Sequence, residues 1–290
     1  MSLLARLAGL SAVAALAACS RSDAPKVDQP AADVPAAPAA ATPNVVEITA
    51  REYAFDAPKQ IPAGLTTFRF KTPGKEPHHG ILVRLDEGKT YDDLAAAIKK
   101  PGPPPSWAHL DGGMMIGDPE KGSIVTMNLT PAKYALICFV PSPDGVPHVA
   151  KGMFAPIEVT PPTGPAAAEP EADIVLRLVD YNFELSKPLT PGEHVIRVEA
   201  APGQPHELVL VRLGEGVTAQ QVVAAEMGQT KGPRPSYTFA GGVAPMDGGR
   251  HAYIKATLEP GNYALVCFMP DAKDGKPHLM HGMIKEIKVG

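Results

Sequence analysis

The second half of this 290-residue sequence repeats the first, and this constrains the fold more than any other feature. Residues 134–139 read YALICF, and residues 263–268 read YALVCF. Three further pairs of motifs match at offsets of 128 to 130 residues: Pro77-His78 with Pro205-His206, Gly112-Gly113 with Gly241-Gly242, and Gly152-Met153 with Gly282-Met283. The sequence therefore predicts a tandem duplication of one domain of roughly 115 residues.

Each copy has the pattern of a β protein. Val46, Ile48 and Ala50 alternate with polar residues, a period of two that predicts a strand with one buried face. Further apolar runs of strand length, bounded by Gly and Pro, lie at 81–85, 123–129 and 134–139. Thr90 with Asp93, and Thr218 with Gln221, resemble capping boxes, so each copy is predicted to contain one short helix. The predicted fold is all-β, with two tandem Greek-key β-sandwiches.

The first residues are predicted to be a targeting signal rather than part of the fold. Arg6 precedes an apolar run at 7–18, which is too short to span a membrane but fits a secretory signal. The run ends in Leu16-Ala17-Ala18-Cys19, which resembles a bacterial lipobox. The resemblance implies a signal peptide at 1–18 and a lipid on Cys19 that anchors the chain to a membrane. The alternative is an ordinary signal peptide followed by a chance cysteine.

Two stretches rich in Pro and Ala divide the remainder of the chain. Residues 19–44 are predicted to be a disordered tether, and residues 161–172 a linker. The predicted domains are therefore 45–160 and 173–290. The chain has 27 basic and 31 acidic residues, so it has no excess of positive charge and nucleic acid is not expected as a partner.

The repeat separates the candidate ligands from the other residues. Of nine histidines only two pairs occupy matching positions, and of ten methionines only one pair does. The two cysteines beyond Cys19 also match. A disulfide between them is disfavoured, because equivalent positions of tandem domains seldom come within bridging distance. Each copy thus keeps an early His, a Cys, a late His and a Met, the ligand set of a blue-copper electron-transfer site.

Both copies resemble cupredoxins in the motif Tyr-x-Leu-x-Cys-Phe, followed by Pro-His-x-x-x-Gly-Met and preceded by Pro-His before a hydrophobic strand. The resemblance implies a cupredoxin-like fold and one copper per domain. The implied copper ligands are His78, Cys138, His148 and Met153 in the first domain, and His206, Cys267, His278 and Met283 in the second. Nine residues separate Cys from the late His in the first copy and ten in the second, more than is usual in the family. The intervening turn either folds back to restore the site or leaves it open, asymmetric or empty.

Three classes of function are compatible with these residues. The first is a copper protein anchored on the periplasmic or extracellular face, acting with a protein partner in electron transfer or copper handling. The second is a copper enzyme resembling nitrite reductases or laccases. It is disfavoured because Phe139 and Phe268 follow the cysteines and no His-x-His occurs. The third is a metal-free interaction module of the cell envelope. The sequence predicts the first class and no enzymatic activity.

Overall fold

The computed structural model describes residues 41–100, 102–118 and 121–290, and these described residues belong to one compact unit. The signal peptide and Cys19 lie outside the described residues. The strands of the first half are β1 (Asn44–Arg51), β2 (Ala54–Asp56), β3 (Gln60–Pro62), β4 (Gly64–Lys71), β5 (Gly80–Leu85), β6 (Ala108–Met114), β7 (Ser123–Leu129), β8 (Ala132–Ile137) and β9 (Phe154–Thr160). The strands of the second half are β10 (Ile174–Val179), β11 (Asn182–Leu185), β12 (Gly192–Ala200), β13 (His206–Leu213), β14 (Tyr237–Met246), β15 (His251–Leu258), β16 (Gly261–Val266) and β17 (Ile284–Val289).

The described residues contain one α-helix in each half, at the position that the capping boxes predict. In α1 (Tyr91–Ala97) the Thr90 side chain accepts from the Asp93 N–H, and the Asp93 side chain accepts from the Thr90 N–H. Thr218 and Gln221 make the same reciprocal pair at the start of α2 (Ala219–Glu226). Each pair satisfies two N–H groups that a helix start otherwise leaves without partners. The predicted all-β fold with one short helix in each half is confirmed.

The strands form two sheets, and each sheet runs through both halves. The eight-stranded sheet has the order β11-β10-β12-β15-β7-β4-β1-β2, and the nine-stranded sheet has the order β17-β16-β13-β14-β6-β5-β8-β9-β3. Four edge strands, one from each sheet of each half, are paired with their counterparts: β7 with β15, and β6 with β14. An edge strand exposes unpaired backbone groups, so this pairing covers edges that two separate sandwiches would leave open.

The pairing relates the halves by a local twofold axis. In one sheet Val125 lies opposite Ile254, and in the other Met114 lies opposite Val243. The residues of each pair are 129 positions apart, the offset of the YALICF motif, so each meets its own equivalent. This is the geometry of an isologous interface. The repeat in the sequence predicts two copies but not the continuous sheets that join them.

A single apolar core lies between the sheets and includes large side chains of both halves, among them Phe68, Tyr134, Phe183 and Tyr263. Two smaller clusters lie on the other face of the nine-stranded sheet, one with Leu94 of α1 and one with Val222 of α2. Ala244 of the second half packs into the first of these clusters, and Met115 of the first half packs into the second.

Buried polar contacts also join the halves. The Asp111 carboxylate, with no exposed side-chain surface, accepts hydrogen bonds from Arg84 Nε at 3.0 Å and Tyr134 OH at 2.9 Å. Arg250, from the second half, places Nη2 3.2 Å from the same carboxylate oxygen. Within the part of the chain that the structure describes, no helix has the length and apolar character needed to cross a membrane.

Candidate metal centres

The predicted ligands of each half lie at strand ends and in the connecting loop. His78 precedes β5, Cys138 directly follows β8, and His148 begins a 3-10 helix, His148–Lys151. Met153 directly precedes β9. In the second half the arrangement is the same, with His206 at the start of β13, Cys267 after β16, His278 at the start of the 3-10 helix His278–His281 and Met283 before β17.

The residues inserted between Cys and the late His form a small hairpin. In the first half the Ser142 N–H donates to the Val146 carbonyl at 3.0 Å, which closes the turn on itself. The chain then returns, and the Val149 N–H donates to the Cys138 carbonyl at 2.8 Å. In the second half the Leu279 N–H donates to the Cys267 carbonyl at 3.0 Å. The extra length therefore does not separate Cys from His.

The donor atoms of the first centre converge. His78 Nδ1 and His148 Nδ1 lie 3.0 Å apart, and Cys138 Sγ lies 3.5 Å from His148 Nδ1. All three residues are fully buried. In the second centre His206 Nδ1 and His278 Nδ1 lie 3.1 Å apart, with Cys267 Sγ 3.5 Å from His278 Nδ1. The two centres thus have the same geometry, with Nδ1 of each imidazole facing inward.

The methionines complete each buried set. Met153 has no exposed surface and packs in the same core cluster as Cys138. Its carbonyl accepts from the Cys138 N–H at 3.3 Å, and its N–H donates to the His148 carbonyl at 3.0 Å. Met283 makes the equivalent contacts with Cys267 and His278, at 3.2 and 3.0 Å. Backbone hydrogen bonds therefore hold each methionine beside the cysteine and the late His of its half.

The spacing of these atoms fits one metal ion in each half. A tetrahedral ion with bonds of about 2.0 Å to nitrogen and about 2.3 Å to sulfur separates two nitrogens by roughly 3.3 Å, and nitrogen from sulfur by about 3.5 Å. The observed separations of 3.0 to 3.5 Å lie close to these values. A thiolate and thioether favour Cu(I), and imidazoles serve copper well, so the donor chemistry of both centres supports copper binding.

Burial sets the protonation of the donors. Burial lowers the pKa of His78, His206 and His278, so these imidazoles are neutral at neutral pH and present lone pairs. Burial also raises the pKa of the Cys138 thiol to about 11, and raises that of Cys267. Both thiols are protonated without metal, and metal binding has to displace a proton from each. Both cysteines are free, so no disulfide forms between them.

The outward-facing nitrogen of one imidazole in each centre is held by a carboxylate. Glu76 Oε2 lies 2.8 Å from His148 Nε2, and Asp180 Oδ1 lies 3.0 Å from His206 Nε2. Such a bond fixes the tautomer and orientation of a ligating imidazole. It leaves Nδ1 free of its proton, as a ligand requires.

The other imidazole of each centre is left without such a partner. Within the described residues His78 Nε2 and His278 Nε2 are buried and have no hydrogen-bond partner. The carboxylate therefore holds the late His in the first half and the early His in the second.

A tyrosine packs edge-on against the late His of each centre. The ring centroids of Tyr53 and His148 lie 5.3 Å apart, and those of Tyr181 and His278 lie 5.6 Å apart. Both tyrosines have a φ of 63°, a left-handed conformation that non-glycine residues seldom adopt. This conformation turns the chain between β1 and β2, and between β10 and β11.

Sequence reasoning missed the carboxylates and the role of the tyrosines. Tyr53 and Tyr181 match in the repeat, which was an available signal. Glu76 aligns with Gln204, so the repeat does not mark it. Asp180 aligns with Glu52, so an acidic residue at this position in both copies was a further available signal. Only the coordinates show that these groups reach the centres.

The residue after each early His also differs between the halves. His79 Nε2 accepts from the Phe139 N–H at 2.8 Å, and Glu207 Oε1 accepts from the Phe268 N–H at 2.8 Å. Both phenylalanines directly follow the cysteines. A neutral acceptor in the first half is thus replaced by a buried carboxyl in the second, and burial raises the pKa of Glu207 to about 7.

Comparison with known proteins gives structural matches only. No protein-family profile and no curated protein sequence matches the chain. Auracyanin B is 21% identical over 42% of this chain and 93% of its own, with a TM-score of 0.29. Auracyanin from Roseiflexus castenholzii is 25% identical over 42% of this chain and 99% of its own, with a TM-score of 0.26. Copper nitrite reductase from Nitrosomonas europaea is 13% identical over 86% of this chain and 94% of its own, with a TM-score of 0.21. Because these TM-scores are low, we take no residue role and no activity from them.

Proposed function

We propose that this chain is a copper-binding protein that holds one copper ion in each half and acts in electron transfer or copper handling. The observation that carries the proposal is the convergence of two imidazole Nδ1 atoms and one thiol sulfur in each half. These atoms are buried, and the separations between them, 3.0 to 3.5 Å, are those of ligands that share one metal ion. Bound there, copper supplies a one-electron couple. The chain's own residues hold the donors, orient the imidazoles and exclude water.

The chemistry of the surroundings supports electron transfer rather than turnover of a substrate. The donor residues have no exposed surface, so a substrate has no open coordination position to approach. The cysteines are followed by Phe139 and Phe268, where a copper oxidase that feeds a second metal cluster would need histidines. We therefore propose that the protein is not an oxidase or a nitrite reductase.

The cellular place of the protein is proposed from its sequence alone. The lipobox at 16–19 supports a lipid on Cys19 and a position on the periplasmic or extracellular face of a bacterial membrane. The Pro/Ala tether would let the compact unit reach a protein partner for electrons or copper. The net charge of -4 favours a partner with a basic docking face.

Copper content and redox cycling test this proposal. The chain from residue 20 onward is loaded with Cu(II), freed of excess metal and assayed for metal and visible absorption. We expect two thiolate-bound copper ions per chain, with intense thiolate-to-copper absorption that disappears with ascorbate and returns with ferricyanide. The His251→Gln variant, which removes a histidine remote from both centres, is the control and should behave as the wild type. A folded chain that retains no copper contradicts the proposal.

A further inference from the structure

A second group of potential metal ligands lies at the surface beside the second centre. Ligand atoms of Asp271, Asp274 and His281 lie within 4.8 Å of one another. His281 Nε2 is 3.1 Å from Asp274 Oδ1. His281 and Asp274 are partly exposed, with 28% and 35% of their side-chain surface accessible, whereas Asp271 is buried. The group therefore offers two carboxylates and one imidazole between the surface and the buried centre.

A buried imidazole nitrogen without a hydrogen-bond partner points at this group. His278 has no exposed surface, and its Nδ1 faces Cys267 and His206. Its Nε2 has no hydrogen-bond partner among the described residues and lies 3.9 Å from Asp271 Oδ2. That distance is too long for a hydrogen bond. A buried polar atom left without a partner is costly, so its orientation towards the surface group requires an explanation.

The first half provides a natural contrast at the same positions. Ser142 stands where the second half has Asp271, Asp144 matches Asp274, and Lys151 matches His281. Lys151 Nζ lies 2.7 Å from Asp144 Oδ2 and 4.8 Å from the centre of the Tyr53 ring. An ammonium group has no lone pair to offer a metal ion, and it already places a positive charge beside the Asp144 carboxylate. The first half therefore neutralises this position with its own lysine, whereas the second half has ligands there.

The carboxylates are in the form that a metal ion needs. Hydrogen bonds from Tyr181 OH and from the Lys273 N–H hold the pKa of Asp271 below its ordinary value. The Lys276 N–H does the same for the pKa of Asp274. The Lys276 ammonium, 3.3 Å from Asp274 Oδ2, is 60% exposed, and such surface ion pairs contribute little. Two anionic oxygens this close repel each other unless a cation lies between them.

We propose that Asp271, Asp274 and His281 form a third metal site, at the surface of the second half, which binds a divalent transition-metal ion. Carboxylates with one imidazole and no thiolate favour Cu(II) or Zn(II) over Cu(I), in contrast to the buried centre. The His278 ring separates the two sites, with Nδ1 on the inner side and Nε2 on the outer side. The choice of Cu(II) as the natural ion rests on the proposed function. The capacity to bind a divalent ion does not.

Electron paramagnetic resonance with Cu(II) as the probe separates the sites by their donors. Cu(II) bound to thiolate has a small copper hyperfine splitting, whereas Cu(II) bound to carboxylate and imidazole has a large one. With three equivalents of Cu(II) we expect one equivalent of the large-splitting signal per chain. The His281→Lys variant, which copies the first half, should lose that equivalent and keep the signals of the buried centres. Asp274→Asn should weaken the same binding at least tenfold.

Matched variants control for adventitious binding and for folding. His251→Gln removes another partly exposed histidine beside a carboxylate, 2.8 Å from Glu169, and should leave the signal unchanged. Lys151→His should not create a fourth site, because Ser142 supplies no carboxylate. Denaturant unfolding checks that each variant is folded. Absence of the large-splitting signal in the wild type, or its persistence in His281→Lys, overturns the proposal. Loss of the thiolate signals alone would instead contradict the proposed function.

Discussion

The two halves of this protein build the same metal-binding core but surround it with different charges. The distances between donor atoms agree within 0.1 Å, at 3.0 and 3.1 Å between nitrogens and 3.5 Å from sulfur in both. The partners of the imidazoles do not agree. Glu76 holds the late His in the first half, whereas Asp180 holds the early His in the second. The repeated backbone therefore positions the donors, and a carboxylate on either imidazole completes the arrangement.

The second centre has the more negative surroundings. Each centre has two carboxylates nearby, Glu52 and Glu76 in the first half and Asp180 and Asp271 in the second. The second centre also has the carboxyl of Glu207, where the first half has His79. Lys151 adds a positive charge near the first centre. The halves thus present one set of donors in two electrostatic environments.

The largest expected effect is the loss of one centre at a time. In Cys138→Ser the first half loses its thiolate, so bound copper should fall by one ion per chain and the absorption of the first centre should vanish. Cys267→Ser should do the same to the second half. Metal analysis and visible spectra measure both. If either variant loses both copper ions while remaining folded, the halves are not independent sites.

Glu207 is expected to make the stability of the metal-free protein depend on pH. Burial raises its pKa from 4.5 to about 7, so the folded state favours the protonated carboxyl. Its contribution to stability is complete below pH 4.5 and is lost as the pH rises through 7, which amounts to about 3 kcal/mol. Denaturant unfolding at pH 5 and pH 8 should show this loss in the wild type. Glu207→Gln should remove it, and His79→Gln should not. Equal pH dependence in wild type and Glu207→Gln would refute this assignment.

The carboxylates that hold the imidazoles should affect copper affinity, each in its own half. Glu76→Gln should weaken copper binding in the first centre, and Asp180→Asn in the second, each by about 10- to 100-fold, because the imidazole loses its orientation. Competition with a copper chelator in the single-cysteine variants measures each centre separately. An effect of Glu76→Gln on the second centre would show that the halves are coupled.

The smallest expected effect is a difference in reduction potential. Negative charge near a centre stabilises Cu(II) over Cu(I), so the second centre should have the lower potential, by an amount on the order of tens of millivolts. Redox titration of Cys138→Ser and Cys267→Ser at pH 8 gives the two values. Glu207→Gln should raise the potential of the second centre. Identical potentials would mean that the charge difference is screened.

The sequence predicted the parts of this protein that depend on local patterns. Period-two alternation at 46–50 and the capping boxes at Thr90 and Thr218 correspond to β1, α1 and α2, because strand faces and helix starts are set by neighbouring residues. The matched His, Cys and Met residues indicated the candidate donors, and the structure brings the His and Cys donor atoms together. The two copies indicate the donors because the same four residue types recur at matching positions.

The parts that the sequence did not predict depend on contacts between distant residues. Nothing in β7 or β15 marks them as partners, since their pairing depends on how two sandwiches meet along exposed edges. Glu76 lies 72 positions from His148, and its counterpart in the second half is a glutamine, so neither spacing nor repetition indicates the contact. The number of residues between Cys138 and His148 did not predict whether the intervening turn folds back on itself. The backbone hydrogen bonds show that it does.

X-ray absorption at the copper edge tests the central claim most directly. The spectrum of the chain loaded with two equivalents of copper reports which atoms are bound to the metal, whatever its oxidation state. Convergence of the donors in both halves predicts one short sulfur and two imidazole nitrogens around each copper. The sulfur contribution should halve in Cys138→Ser loaded with the same two equivalents. A spectrum with only nitrogen and oxygen neighbours would contradict the claim that these two buried clusters bind copper.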